Sequence, residues 1–140
     1  MSKSNTNSPA ADLLIQKIVS GGQTGVDRAA LDAAMEAGIT IGGWCPRGRR
    51  SEKGLIPAEY PLQETPARSY VVRTEWNVRD SDGTLIVVLD DISSGTRLTV
   101  NQARDQQKPA IVVHLRPPHA LSLFSDENSL NDQIESVVQW

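Results

Sequence analysis

The stretch "KIVSGGQTGVDRAALDAAMEAG", Lys17 to Gly38, constrains the fold more than any other. An apolar run breaks into three glycines, Gly21, Gly22 and Gly25, and continues directly as a patterned helix. Glycine permits positive φ and close backbone approach, and a helix N-terminus presents free N–H groups to whatever lies in front of it. The pattern predicts a strand over Leu13 to Ser20, a bare turn, and a helix closed by Gly38. Val26, Ala29, Ala30, Ala33, Ala34 and Ala37 recur at helical spacing, which predicts one small-residue face lying close against a sheet.

Further along, Ile39 to Ile41 is a brief apolar run, and residues 42 to 69 form a long segment with little periodicity. Long irregular segments in compact domains usually carry function. Tyr70 to Val72 reads as a short strand, with Thr74 capping a short helix "EWNVRD". "TLIVVL" and "AIVVHL" are continuous apolar runs of the kind found in parallel strands buried on both faces. Between them "SSGTRLTVNQARDQQ" reads as a turn into a helix that ends before Pro109. Leu130, Ile134, Val137 and Val138 mark a last helix, with Ser129 and Asp132 spaced as a capping box. Strands alternating with helices predict the α/β class: a single Rossmann-like three-layer domain with a mainly parallel sheet. Residues 13–140 are expected to form that ligand-binding domain, behind a disordered tail over residues 1–12.

Composition excludes several roles. A net charge of −3 offers no general attraction for nucleic acid or an anionic membrane, so any anion site must be local. No apolar run reaches the length of a membrane span, and the N-terminus lacks the apolar core of a secretory signal. The single cysteine, Cys45, fits a reducing cytoplasm and precludes an all-cysteine metal cage. With only His114 and His119 besides, no protein-ligated metal is expected. Cys45 has no histidine near it in sequence and reads as a packed residue, and His114 as a structural one.

The glycine turn matches neither Gly-x-Gly-x-x-Gly nor the Lys-Ser/Thr of a P-loop. Its physics is nonetheless that of an anion site: Ser20, Gly21, Gly22, Gln23, Thr24 and Gly25 at a helix N-terminus, with Arg28 in the first turn. The competing reading is a tight turn in which Thr24 caps the helix and Arg28 is solvated. A second glycine turn, Ser94, Gly95 and Thr96, follows the strand "TLIVVL". Two such turns at strand ends can flank one crevice of an open α/β sheet. Arg47, Arg49, Arg50 and Lys53 crowd four positive charges into seven residues and read as a lid over a phosphate, or else as a solvated loop balanced by Glu52 and Glu59. Arg73, Glu75, Asn77 and Asp80 read as polar ligand contacts, or as partners holding their own helix together. Gly22→Val and Arg28→Ala are expected to weaken anion binding while leaving the fold largely intact.

The blocks "SGGQTGVDRAALDAA", "GWCPRGRRSEKGLIPAEYPL", "RTEWNVRDSDGTLIV" and "SGTRLTVNQARDQQKPAIVV" resemble the molybdenum carrier-like family and cover most of residues 18 to 113. That family is similar in fold to the Rossmann-like group containing the Lonely Guy phosphoribohydrolases and the DNA-processing protein DprA. The resemblance implies a ligand of molybdenum cofactor or nucleotide type, with its phosphate on the Gly21–Gly25 turn and any metal carried by the cofactor's own dithiolene sulfurs. It also implies, by analogy of fold, a homo-oligomer. The phosphoribohydrolases carry Pro-Gly-Gly-x-Gly-Thr-x-x-Glu; here Gly95 and Thr96 match, but Thr99 stands at the glutamate position and cannot act as that base. Relatives continue into another strand and a Gly-Pro-Arg-Ser element, whereas this sequence stops at Trp140, so the resemblance implies a truncated sequence or a sheet lacking its C-terminal edge strand. Three functions follow: a cofactor or nucleotide carrier; a nucleotide hydrolase using Glu75, Asp80 or Asp82; and a nucleotide-sensing module acting through a partner.

Overall fold

The computed structural model describes residues 15–89 and 91–115. The N-terminal tail, the start of the first expected strand and the last expected helix lie outside the described residues. The chain divides into two compact units at Asp80 and Ser81.

In the first unit, strand β1 (Lys17–Val19) feeds helix α1 (Val26–Glu36), which returns to strand β2 (Thr40–Gly42). β1 and β2 pair in parallel, Lys17 opposite Thr40 and Val19 opposite Gly42, the arrangement a βαβ connection requires. The face that α1 buries differs from the expected alanine face. Leu31 and Ala34 are buried, whereas Val26, Ala29, Ala33 and Ala37 are exposed. The physical reason is area: one leucine removes more apolar surface from water than several methyl groups, so the helix turns Leu31 inward. Leu31 joins Cys45, Ile56, Tyr60 and Leu62 in a cluster flanked by Ile41.

The segment from 42 to 69 is more ordered than its composition suggests. Strands β3 (Trp44–Cys45) and β6 (Gln63–Glu64) pair in parallel, and β4 (Arg50–Ser51) and β5 (Gly54–Leu55) form an antiparallel hairpin between them. Helix α2 (Tyr70–Arg79) replaces the short strand expected at Tyr70 to Val72. Its cap is Ser69, whose hydroxyl accepts from the Val71 N–H at 3.1 Å, and not Thr74, whose hydroxyl donates back to the Tyr70 carbonyl. Val71 and Val72 favour a strand locally, but the serine cap and the packing of α2 on β3 override that preference. Trp44 meets Trp76 edge-on at 4.7 Å there.

In the second unit, strand β7 (Thr84–Val88), helix α3 (Ser94–Asp105) and strand β8 (Ala110–His114) form another parallel βαβ, Thr84 opposite Ala110 and Val88 opposite His114. Ile86, Val88, Ala103 and Val113 are buried. Burial on both faces of β7 was expected; instead Leu85 and Leu89 are about half exposed. His114 is half-buried within β8.

Candidate functional site

The turn from β1 into α1 is held from several sides. Gly22 and Gly25 adopt positive φ, 71° and 91°. At Gly22 no other residue is comfortable: besides its φ, a Cβ would lie 2.6 Å from Leu62 Cδ1 and 3.2 Å from Ile56. At Gly21 a Cβ would lie 2.5 Å from the Arg73 guanidinium. That guanidinium is buried and donates to the Gly21 carbonyl at 3.1 Å. Arg28 Nε donates to the next carbonyl, of Gly22, at 3.0 Å. Gly22→Val is therefore a packing change as well as a site change, which corrects the expectation that the fold would tolerate it.

The amides of the turn divide into two sets. The Gly22 N–H reaches Ser20 Oγ at 3.3 Å, the Gln23 N–H reaches Asp27 Oδ2 at 3.2 Å, and the Thr24 N–H reaches the side-chain oxygen of Gln23 at 3.1 Å. Gly25 occupies the cap position, and no side chain caps α1. Thr24 thus does not cap the helix. Among the described residues nothing engages the N–H groups of Gly25, Val26 and Asp27. These three are the donors left facing outward from a helix N-terminus, where the macrodipole adds partial positive charge.

Charge surrounds this point. Burial raises the Asp27 carboxyl above its ordinary 3.8, against the lowering effects of Arg73 and of the Gln23 N–H. Burial lowers the Arg73 pKa, opposed chiefly by Asp27. Tyr70 lies under two cations, Arg50 at 4.6 Å and Arg73 at 5.2 Å from its ring centre. Asp27 and Tyr70 were not singled out from sequence. Asp27 offered one signal, an acid in the first helical turn, but that is commonly a surface complement to the dipole. Tyr70 was hidden inside a segment read as a strand.

The arginine loop comes to the turn as the hairpin β4–β5. Glu52 N–H donates to the Gln23 side-chain oxygen at 2.9 Å, and Arg28 Nη2 donates to Ser51 Oγ at 3.1 Å. The four expected lid cations separate into different roles. Arg49, at φ 52°, directs its guanidinium to the carbonyls of Ile56, Pro57, Tyr60 and Leu62, and so organises the loop from within. Arg50 stacks on Tyr70, while Arg47 and Lys53 are exposed.

The expected polar contacts on α2 separate likewise. Asn77 makes a two-way bond to the backbone of Trp44, accepting at 2.7 Å and donating at 2.9 Å. Asp80 accepts from the Trp44 indole at 2.6 Å and pairs with Arg79 at 2.7 Å. Both hold α2 to β3. Glu75 is exposed.

In the second unit, Ser94, Gly95 and Thr96 lie inside the first turn of α3 and do not form a glycine turn before it. Ser93 caps this helix, accepting from the Thr96 N–H at 3.2 Å. Thr99 Oγ1 donates to the Gly95 carbonyl at 3.2 Å. A depression of about 390 Å³ beside it is lined by Ser94, Arg97, Leu98 and Asn101.

Parallel strand pairs joined by helices, with the glycine turn entering the first helix, define a small α/β protein. The model of the circularly permutated YpsA SLOG family matches residues 18–134, and the chain belongs to that family. It is also similar to a crystal structure described as "Putative molybdenum carrier protein" from Syntrophus aciditrophicus SB, at 37% identity and a TM-score of 0.70. That match covers 86% of this chain and 93% of the other, so the likeness extends through both units. No curated protein matches the chain.

Proposed function

We propose that this protein is a carrier that binds a phosphate-bearing small molecule at the N-terminus of α1, the molybdenum cofactor or a related nucleotide. The observation that carries the reading is the set of outward N–H groups at Gly25, Val26 and Asp27, behind a glycine turn braced by Arg28 and Arg73. Backbone donors at a helix N-terminus suit phosphate oxygens, and Arg50 and Lys53 on the adjoining hairpin add positive charge nearby. The likeness to the Syntrophus protein supports the choice of cargo. Among the described residues no group of three or more His, Cys, Asp or Glu could hold a metal ion. In this reading the chain holds the phosphate, and the metal belongs to the cofactor's own sulfurs.

No helix among the described residues is long and apolar enough to cross a membrane. Of the three carboxylates a hydrolase would use, Asp80 is engaged with Trp44 and Arg79, while Glu75 and Asp82 are exposed.

Native mass spectrometry of the purified protein, with metal analysis of the same sample, tests the proposal. A pterin-sized adduct with molybdenum or tungsten is the expected result. A nucleoside monophosphate without metal would retain the phosphate site and replace the cargo. A bare protein that also fails to bind added AMP would remove the reading.

A further inference from the structure

The hairpin β4–β5 has only two residue pairs, Arg50 opposite Leu55 and Ser51 opposite Gly54. A two-stranded hairpin this short does not hold its own position in water, so its attachments decide where it sits. Its base is fixed by Arg49, whose carbonyl accepts from the Ile56 N–H at 2.7 Å and whose guanidinium binds the carbonyls beyond. Its tip is open to solvent: Glu52, Lys53 and Gly54 are exposed, and Leu55 retains 75% of its accessible surface. Two contacts tie that tip to the glycine turn, Glu52 N–H to Gln23 and Arg28 to Ser51.

We propose that Gln23 is a positioning residue that latches the tip of the arginine hairpin onto the glycine turn. One side-chain oxygen accepts from Thr24 within the turn and from Glu52 at the tip, so the two segments share a single acceptor. Two backbone N–H groups facing it also settle which end of the amide points to them, because only the oxygen accepts. Arg28 makes the second tie, from the Gly22 carbonyl to Ser51 Oγ, which itself closes the hairpin onto Gly54 at 2.6 Å. When the latch opens, the tip pivots on the Arg49 base and carries Lys53 with it, while Arg50 stays on the Tyr70 ring. The consequence for ligand binding rests on the carrier reading above; the latch itself does not.

Limited trypsin digestion of the full chain, without ligand, measures the latch. Cleavage after Lys53 reports the tip, and cleavage after exposed Arg68 reports general loosening. Gln23→Leu is expected to speed cleavage after Lys53 by about fivefold to tenfold, as loss of a net hydrogen bond implies, and to leave Arg68 unchanged. Gln23→Glu keeps an acceptor for both N–H groups and should stay within about twofold of wild type. Ser51→Ala, which removes the Arg28 tie together with the Ser51 bond to Gly54, should also raise the Lys53 rate and gives a second route if Gln23→Leu folds poorly. Unchanged Lys53 cleavage in folded Gln23→Leu, or parallel rises at Lys53 and Arg68, would overturn the latch. Because no ligand is present, that failure would leave the carrier reading to its own mass-spectrometric test.

Discussion

At the end of β1 the chain passes from Ser20 through Gly25 before α1 begins; at the end of β7 it reaches the Ser93 cap of α3. The two junctions use similar residues, small and hydroxylated with glycine among them, and are built on different principles. The first has two glycines at positive φ, two carbonyls held by arginines and a helix without a side-chain cap. The second has a serine cap, a glycine in ordinary helical conformation and mostly exposed side chains. Glycine content alone therefore does not mark a site. What distinguishes the first junction is that charged side chains, the buried Arg73 and the half-buried Asp27 and Arg28, shape its backbone, leaving amides at the helix end with no internal partner.

The largest expected difference between the junctions comes from their arginines. Arg73→Met removes a buried charged donor from the Gly21 carbonyl, and urea denaturation should show a loss of about 2–4 kcal/mol. Arg97→Met, on the exposed first turn of α3, should stay within about 0.5 kcal/mol. Equal effects would mean that the first turn is not held by its buried cation. Next in size are the glycines. Gly22→Ala places a Cβ at positive φ and against Leu62, at a cost of about 1–3 kcal/mol. Gly95→Ala meets nothing nearer than Ser93 Oγ at 4.0 Å, and alanine's helix propensity should stabilise by about 0.5–1 kcal/mol. One substitution thus takes opposite signs at the two junctions; the same sign at both would break the comparison.

Much of this architecture was legible in sequence because it rests on local rules. The α/β alternation, the strands at Thr84 and Ala110 and the glycine turn follow from periodicity and the known conformations of glycine. What sequence concealed depends on distant partners. Asn77 and Asp80 read either as ligand contacts or as partners within their own helix, and their bonds to Trp44, more than thirty residues earlier, have no signal in the sequence. Arg49 reads as a lid charge until four carbonyls prove to surround it. Tyr70 to Val72 fits a strand until Ser69 caps it as a helix. The burial of Asp27 has no local signature, since an acid in a first helical turn is most often solvated.

That burial supplies the smallest and most specific test. Desolvation holds the Asp27 carboxyl above 3.8 although Arg73 and the Gln23 N–H both pull it down. A raised pKa means that the folded state binds the proton more tightly than the unfolded chain. Asp27's contribution to stability therefore declines as pH rises from about 3.8 through the folded value, and is constant above it. Asp27→Asn keeps an acceptor for the Gln23 N–H and removes the titration. Stability relative to this variant should fall with rising pH across that window. Carbon NMR of the Asp27 carboxyl should give a midpoint above 3.8 in wild type, and a higher one in Arg73→Met, where the opposing charge is gone. A midpoint at 3.8, with parallel pH profiles for wild type and Asp27→Asn, would mean that water reaches the carboxylate freely. The first junction would then differ from the second in backbone conformation alone, and the claim that buried charge shapes it would fail.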